Sequence, residues 1–108
     1  MPRNVLPSVS PLASMQSHAC AASNLLKAMG NEHRLQILCL LVENEFNVGE
    51  LHARLALSQS ALSQHLAVLR DAQFVHTRRV AQTVFYSLAD GPVQQIMQTL
   101  HNIYCGKP

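Results

Sequence analysis

From Ser58 to Gln73 the chain reads SQSALSQHLAVLRDAQ, and its apolar and polar positions separate onto two faces. Leu62, Leu66 and Leu69 recur at four- and three-residue steps, the spacing of one side of a helix of about four turns. Gln59, Ser60, Ser63, Gln64 and Ala67 fall on the other side. A solvated helix face ordinarily carries Lys and Glu. Small hydroxyl and amide side chains in their place suit a surface that reads base edges and holds phosphates.

The same periodicity orders the segments before this helix. Met15, Ala19, Ala22, Leu26 and Met29 predict a first amphipathic helix stopped by Gly30, and Asn31 is placed to cap a second. In that second helix Leu35 and the run Ile37 to Val42 leave almost no polar side, so it is expected to be central and buried. Asn47 and Glu50 make a capping pair for a third helix, Val48 to Ala56, and Ser58 supplies a capping hydroxyl after a short turn. Two short helices joined by such a turn, the second with a polar reading face, form a helix-turn-helix.

After Gln73 the period falls to two. Val75 to Val80 and Thr83 to Leu88 alternate as two strands with a turn at Ala81 and Gln82, a hairpin wing that presents Arg78 and Arg79. Asp90 starts a last helix, with Pro92 in its first turn and a stripe of Val93, Ile96, Met97, Leu100, Ile103 and Tyr104. That stripe is wider than one small domain needs. With the first helix (Met15, Ala19, Ala22, Leu26) it predicts a two-fold dimer interface, which would set two reading helices about 34 Å apart on DNA. The fold class is thus mainly α with a β-hairpin wing, a winged helix-turn-helix that forms a homodimer through its first and last helices. A disordered arm over residues 1–13, a domain over 14–105 and a tail over 106–108 complete the organisation.

Composition supports one small domain: 108 residues, 48% hydrophobic, without tryptophan. A net charge of +2 argues little, but its distribution argues more. Glu32, Glu43, Glu45 and Glu50 face Arg34 alone between Asn31 and Glu50, whereas Arg54, Arg70, Arg78 and Arg79 face Asp71 alone from Leu51 to Ala89. The basic half is the half with the reading helix. Residues expected at double-stranded DNA are Ser58, Gln59, Ser60, Ser63, Gln64, His65, Arg70, Arg78, Arg79 and Gln82. Two bland alternatives stand beside this: the arginines as a solvated basic edge, and His65 packed against the turn.

Cys20, Cys39 and Cys105 cannot all pair within one chain, and no C-x-x-C occurs. This favours a reducing compartment and counts against a thiol oxidoreductase, as does the absence of a Gly-rich loop or a paired acid and base. Neither a signal-peptide segment nor a spanning stretch is present, so a cytoplasmic, non-enzymatic protein is expected. Cys39 alone reads as core packing and Cys105 as part of a frayed terminus.

Together the segments resemble the ArsR/SmtB family of winged-helix repressors over about residues 20–105. NEHRLQIL at 31–38, VGEL at 48–51, LSQSALSQHLAVLR at 57–70 and RRVAQTVFYSL at 78–88 carry the likeness. Within the family, ILCLL at 37–41 and LHNIYC at 100–105 resemble the persulfide- and redox-sensing branch. That resemblance implies a dithiol sensor at Cys39 and Cys105, with reactive sulfur species as inducer, an operator of imperfect two-fold symmetry as DNA partner, and Cys20 as a bystander. The metal-sensing pattern is broken: EFNVGEL at 45–51 has Asn47 and Gly49 where cysteines belong, and only Asp90 and His101 remain in the last helix. No resident metal or other cofactor is therefore expected. Two alternatives remain open: a metal or organometal sensor using Cys39, Cys105 and His101, and a derepressor that displaces a silencing protein from DNA.

Overall fold

The computed structural model describes residues 11–106. In chain order they form α1 (Pro11–Gln16), α2 (Ala19–Met29), α3 (Glu32–Leu41), β1 (Phe46–Asn47), α4 (Val48–Arg54), α5 (Gln59–Asp71), β2 (Val75–Val80), β3 (Thr83–Leu88) and α6 (Pro92–Tyr104). Residues 1–10 of the expected arm and residues 107–108 of the tail lie outside this range.

Asn31 sets the position of α3. Its Oδ1 accepts from the backbone N–H groups of His33 (2.9 Å) and Arg34 (3.1 Å), satisfying donors that the first turn would leave open. Ile37, Leu38 and Leu41 then enter the core, and α3 packs on α5, β3 and α6. The helix is central as expected, but not buried all round. At about 100° per residue Cys39 is turned away from Leu38 and Leu41, and it is exposed. Exposed Gln36, one turn earlier, shares this outer side, but the apolar run from Ile37 to Val42 obscures it.

The capping pair at Asn47 and Glu50 is a full capping box: Asn47 Oδ1 accepts from Glu50 N at 2.8 Å, and Glu50 Oε1 accepts from Asn47 N at 2.9 Å. Ser58 Oγ caps α5 by accepting from Ala61 N at 3.1 Å. Leu62, Leu66 and Leu69 are buried, so the leucine face of α5 is the core face. The helix ends with Phe74 N donating to Leu69 O and Gln73 N to Arg70 O, the paired bonds of a Schellman motif, with Gln73 at φ 63° where glycine is usual. Phe74 and Leu69, both buried, provide the accompanying apolar contact.

β2 and β3 pair antiparallel from Val75↔Leu88 to Val80↔Thr83, leaving Ala81 and Gln82 as the expected turn. β1, which the alternation of residues did not predict, adds Phe46↔Tyr86 and Asn47↔Phe85, giving the order β1-β3-β2. At two residues it is too short for a period to show.

Three further expectations are corrected. The single first helix is two helices broken at Ser17 and His18, and α1 begins at Pro11, inside the stretch expected to be an arm. Proline suits a first helical position, while Ser17 Oγ donates to Ser14 O at 3.0 Å and closes the turn. Val93 and Met97, assigned to a dimer face, are only 2% and 4% exposed and belong to the core where α6 meets α3. The outer part of the α6 stripe is at Ile103 and Tyr104, 64% and 80% exposed. Finally, α4 ends at Arg54 and α6 starts at Pro92, a residue or two inside the expected bounds.

Candidate nucleic-acid interface and thiol cavity

With its leucines inward, α5 turns Gln59, Ser60, Ser63 and Gln64 to solvent together, and all four are exposed. Ser58 is exposed too, though its hydroxyl is used by the cap and lies 3.4 Å from Ser60 Oγ. Gln82 stands exposed at the tip of the hairpin. These polar side chains lie where the residue pattern placed them. The charged ones do not all do so.

Arg78 is held in a fork by Glu45, with Nη2–Oε1 at 2.7 Å and Nε–Oε2 at 3.1 Å, and its guanidinium lies 4.9 Å from the Phe85 ring centre. The hydrogen bond with Arg78 and the attraction of its charge outweigh the desolvation of Glu45, whose carboxyl is held below the usual carboxylate range. Arg78, expected at the phosphates, thus has a carboxylate partner 33 positions away that local pattern does not reveal. Arg70 donates from Nη1 to Tyr86 Oη at 3.0 Å and ties α5 to β3. Arg54 lies over Phe46 at 4.7 Å. Arg79 is exposed and makes no ion pair among the described residues.

His65 faces inward, toward α3. Arg34 Nη1 donates to its Nδ1 at 3.3 Å, and the His33 ring centre is 5.7 Å away. Arg34 also donates from Nε to Ala28 O at 2.6 Å and from Nη2 to Lys27 O at 3.5 Å. One guanidinium therefore joins the end of α2, the start of α3 and the middle of α5. His33 Nδ1 is buried there without a hydrogen-bond partner among the described residues. The sequence offered one signal for this group: Arg34 is the sole cation in an acidic segment.

Desolvation, then the charge of Arg34, then that of His33 lower the pKa of His65 below its ordinary 6.5. As pH falls through 6.5 the unfolded chain therefore takes up this proton before the folded one does, and stability is lost until pH passes the folded value. Urea midpoints should fall between pH 7 and pH 5.5, and His65→Gln should remove part of that fall. An identical pH profile in the variant would place the sensitivity elsewhere.

Cys39 on α3 and Cys105 just after α6 line one cavity of about 370 Å³. Leu35 and Val42 form its α3 side, and Met97, Leu100, His101 and Tyr104 its α6 side. Both thiols are exposed. Cys39 also borders a smaller opening beside Gln36, Arg54 and Leu55. Cys20, exposed on α2, lines neither. No group of three or more Cys, His, Asp or Glu side chains among the described residues is arranged to hold a metal ion, so His101 does not complete a ligand set with the two cysteines.

A polar-faced helix after a capped turn, backed by a leucine face and followed by a hairpin, defines a winged helix-turn-helix of the DNA-binding class. The chain belongs to the ArsR family of bacterial regulatory proteins, whose domain model matches residues 31–77. It is 56% identical over 94 residues to the transcriptional activator HlyU of Vibrio cholerae, covering 87% of each chain. It is 42% identical over 95 residues to the biofilm growth-associated repressor of Agrobacterium fabrum, covering 88% of this chain and 81% of that one. The solved HlyU structure from Vibrio cholerae superimposes with a TM-score of 0.81 over 85% of this chain and 100% of that chain. The protein is a DNA-binding transcriptional regulator, as these relatives are transcriptional regulators. Among the described residues no helix is long and apolar enough to cross a membrane.

Proposed function

We propose that the protein is a homodimeric repressor whose operator affinity is switched when Cys39 and Cys105 form a di- or polysulfide bridge on exposure to reactive sulfur species. The observation that carries this reading is that two exposed thiols, one on α3 and one at the end of α6, line one cavity. A thiolate takes the outer sulfur of a persulfide, and the second cysteine attacks the inner sulfur of the resulting protein persulfide, expelling hydrosulfide and leaving a disulfide. Because α3 packs on α5 and is joined to it through Arg34 and His65, a cross-link between α3 and α6 acts on the helix that meets DNA. A coupling of about 1–3 kcal/mol changes affinity by one to two decades.

The dimer would be built on exposed apolar side chains at both ends of the chain: Leu12, Met15 and Leu26 on α1 and α2, with Ile103 and Tyr104 on α6. Ala19, Ala22, Ile96 and Leu100 flank them. Gln59, Ser60, Ser63 and Gln64 would face base edges in the major groove, with Arg79, Arg70 and Gln82 toward the backbone. The test is DNA binding by fluorescence anisotropy before and after persulfide treatment. Wild type should lose affinity about 10- to 100-fold, whereas Cys39→Ser and Cys105→Ser should keep it. Release of DNA from both serine variants would refute the switch.

Arg78 would join the phosphate contacts only by leaving Glu45. Glu45→Gln should therefore strengthen non-specific DNA binding and steepen the salt dependence by about one phosphate contact. An unchanged slope would mean that Arg78 takes no part.

A second reading has an observation behind it. The 56% identical relative is called an activator, whereas the Agrobacterium fabrum relative is called a repressor. In this reading the protein binds the same kind of site but raises transcription by displacing a silencing protein. Transcription reconstituted with and without a silencing protein separates the two by sign.

A further inference from the structure

The geometry points to an apolar organosulfur compound, a dialkyl polysulfide in chemical class, as the sulfur donor that the Cys39/Cys105 cavity selects over charged donors. This rests on the dithiol reading above and adds the donor's chemistry to it. Both thiols open into the same space of about 370 Å³, large enough for a short alkyl chain beside a sulfur chain. Its remaining walls are Leu35, Val42, Met97, Leu100 and the ring of Tyr104, with His101 as the other polar side chain. No Asp, Glu, Lys or Arg lines it among the described residues. A donor bearing carboxylates and an ammonium would shed water there without finding a counter-charge. An alkyl chain would exchange water for leucine, valine and methionine.

The chemistry balances with a dialkyl trisulfide, R–S–S–S–R. One protein thiolate attacks the central sulfur and expels one alkylthiolate. The second thiolate attacks that same sulfur and expels the other. The central sulfur remains between Cys39 and Cys105 as a trisulfide, the two cysteines are oxidised, the donor is reduced to two alkylthiolates, and the two thiol protons pass to solvent or to the departing thiolates.

Selection should appear as a chain-length dependence of the first attack. Full burial of a methylene favours the bound donor by up to about fourfold, so methyl, propyl and pentyl trisulfides should react progressively faster until the cavity is full. Rates of mass gain would be measured on the intact protein and on Cys39→Ser and Cys105→Ser, with inorganic polysulfide and glutathione trisulfide as references and the urea-unfolded chain as baseline. Native protein should favour the pentyl over the glutathione donor at least tenfold more than the unfolded chain does. Leu100→Gln should flatten the series, slowing the pentyl donor more than inorganic polysulfide. Val42→Gln, on the half-buried α3 wall of the cavity and outside the proposed dimer face, should flatten it partly even if Leu100→Gln does not fold.

Equal native and unfolded preferences would overturn the selection. DNA release by inorganic polysulfide in that same case would leave the dithiol switch standing. A chain-length dependence without bridge formation or DNA release would do the reverse.

Discussion

Leu62→Ala is expected to destabilise the protein by about 2–5 kcal/mol, a large part of the roughly 5–15 kcal/mol that holds a domain of this kind together. Leu62 is fully buried on α5, in the same core as Ile37 and Leu38 of α3, Leu51 of α4 and Val93 of α6. Removing its isobutyl group takes away the transfer free energy of those carbons and leaves a void that four elements cannot close together. The urea midpoint should drop sharply with little change in slope. DNA binding measured well below that midpoint should persist, since the polar face is on the other side of the helix. A midpoint within a few tenths of a molar of wild type would show that α5 is not held by its leucines.

Gln64→Ala should have its effect on DNA rather than on stability. An exposed glutamine amide pairs with two groups on one base edge, and such a pair contributes about 1–3 kcal/mol of discrimination. Specific affinity should therefore fall by roughly 5- to 150-fold while non-specific affinity and the salt slope hold steady. Arg79→Ala should show the opposite pattern, weakening binding to every sequence and reducing the slope by about one. If Gln64→Ala weakens specific and random DNA equally, the outer face of α5 does not read bases.

The reading helix was legible because its two faces differ in composition and because leucine at three- and four-residue steps has one structural outcome. The caps at Asn31, Asn47 and Ser58 were legible for a similar reason: each satisfies open backbone donors within three residues of itself. What the residue pattern missed lies in contacts between distant segments. Glu45 and Arg78 meet because β1 pairs beside β3, and a two-residue strand has no period to detect. His65 was placed toward DNA or the turn, yet Arg34, contributed by another helix, holds it inward. The stripe on α6 was correctly apolar, but periodicity could not tell the part facing its own core, Val93 and Met97, from the part left at Ile103 and Tyr104. The thiols show both limits: an apolar run hid the exposure of Cys39, and only the packing of α6 on α3 brings Cys105 to the same cavity.

The link through Arg34 bears on any attempt to give this regulator a new operator. Gln59, Ser60, Ser63 and Gln64 can be exchanged as a set, because none of them holds the helix in place. Transplanting the whole segment from Gln59 to Asp71 is a different operation. A donor segment without histidine at position 65 leaves the guanidinium with Ala28 and Lys27 as acceptors and nothing to grip on α5. Such a chimera would keep the leucine packing of α5 on the core but lose its hydrogen bond to α3. Specificity can be recoded by side chain; the polar link between α3 and α5 travels only with Arg34 and His65 together.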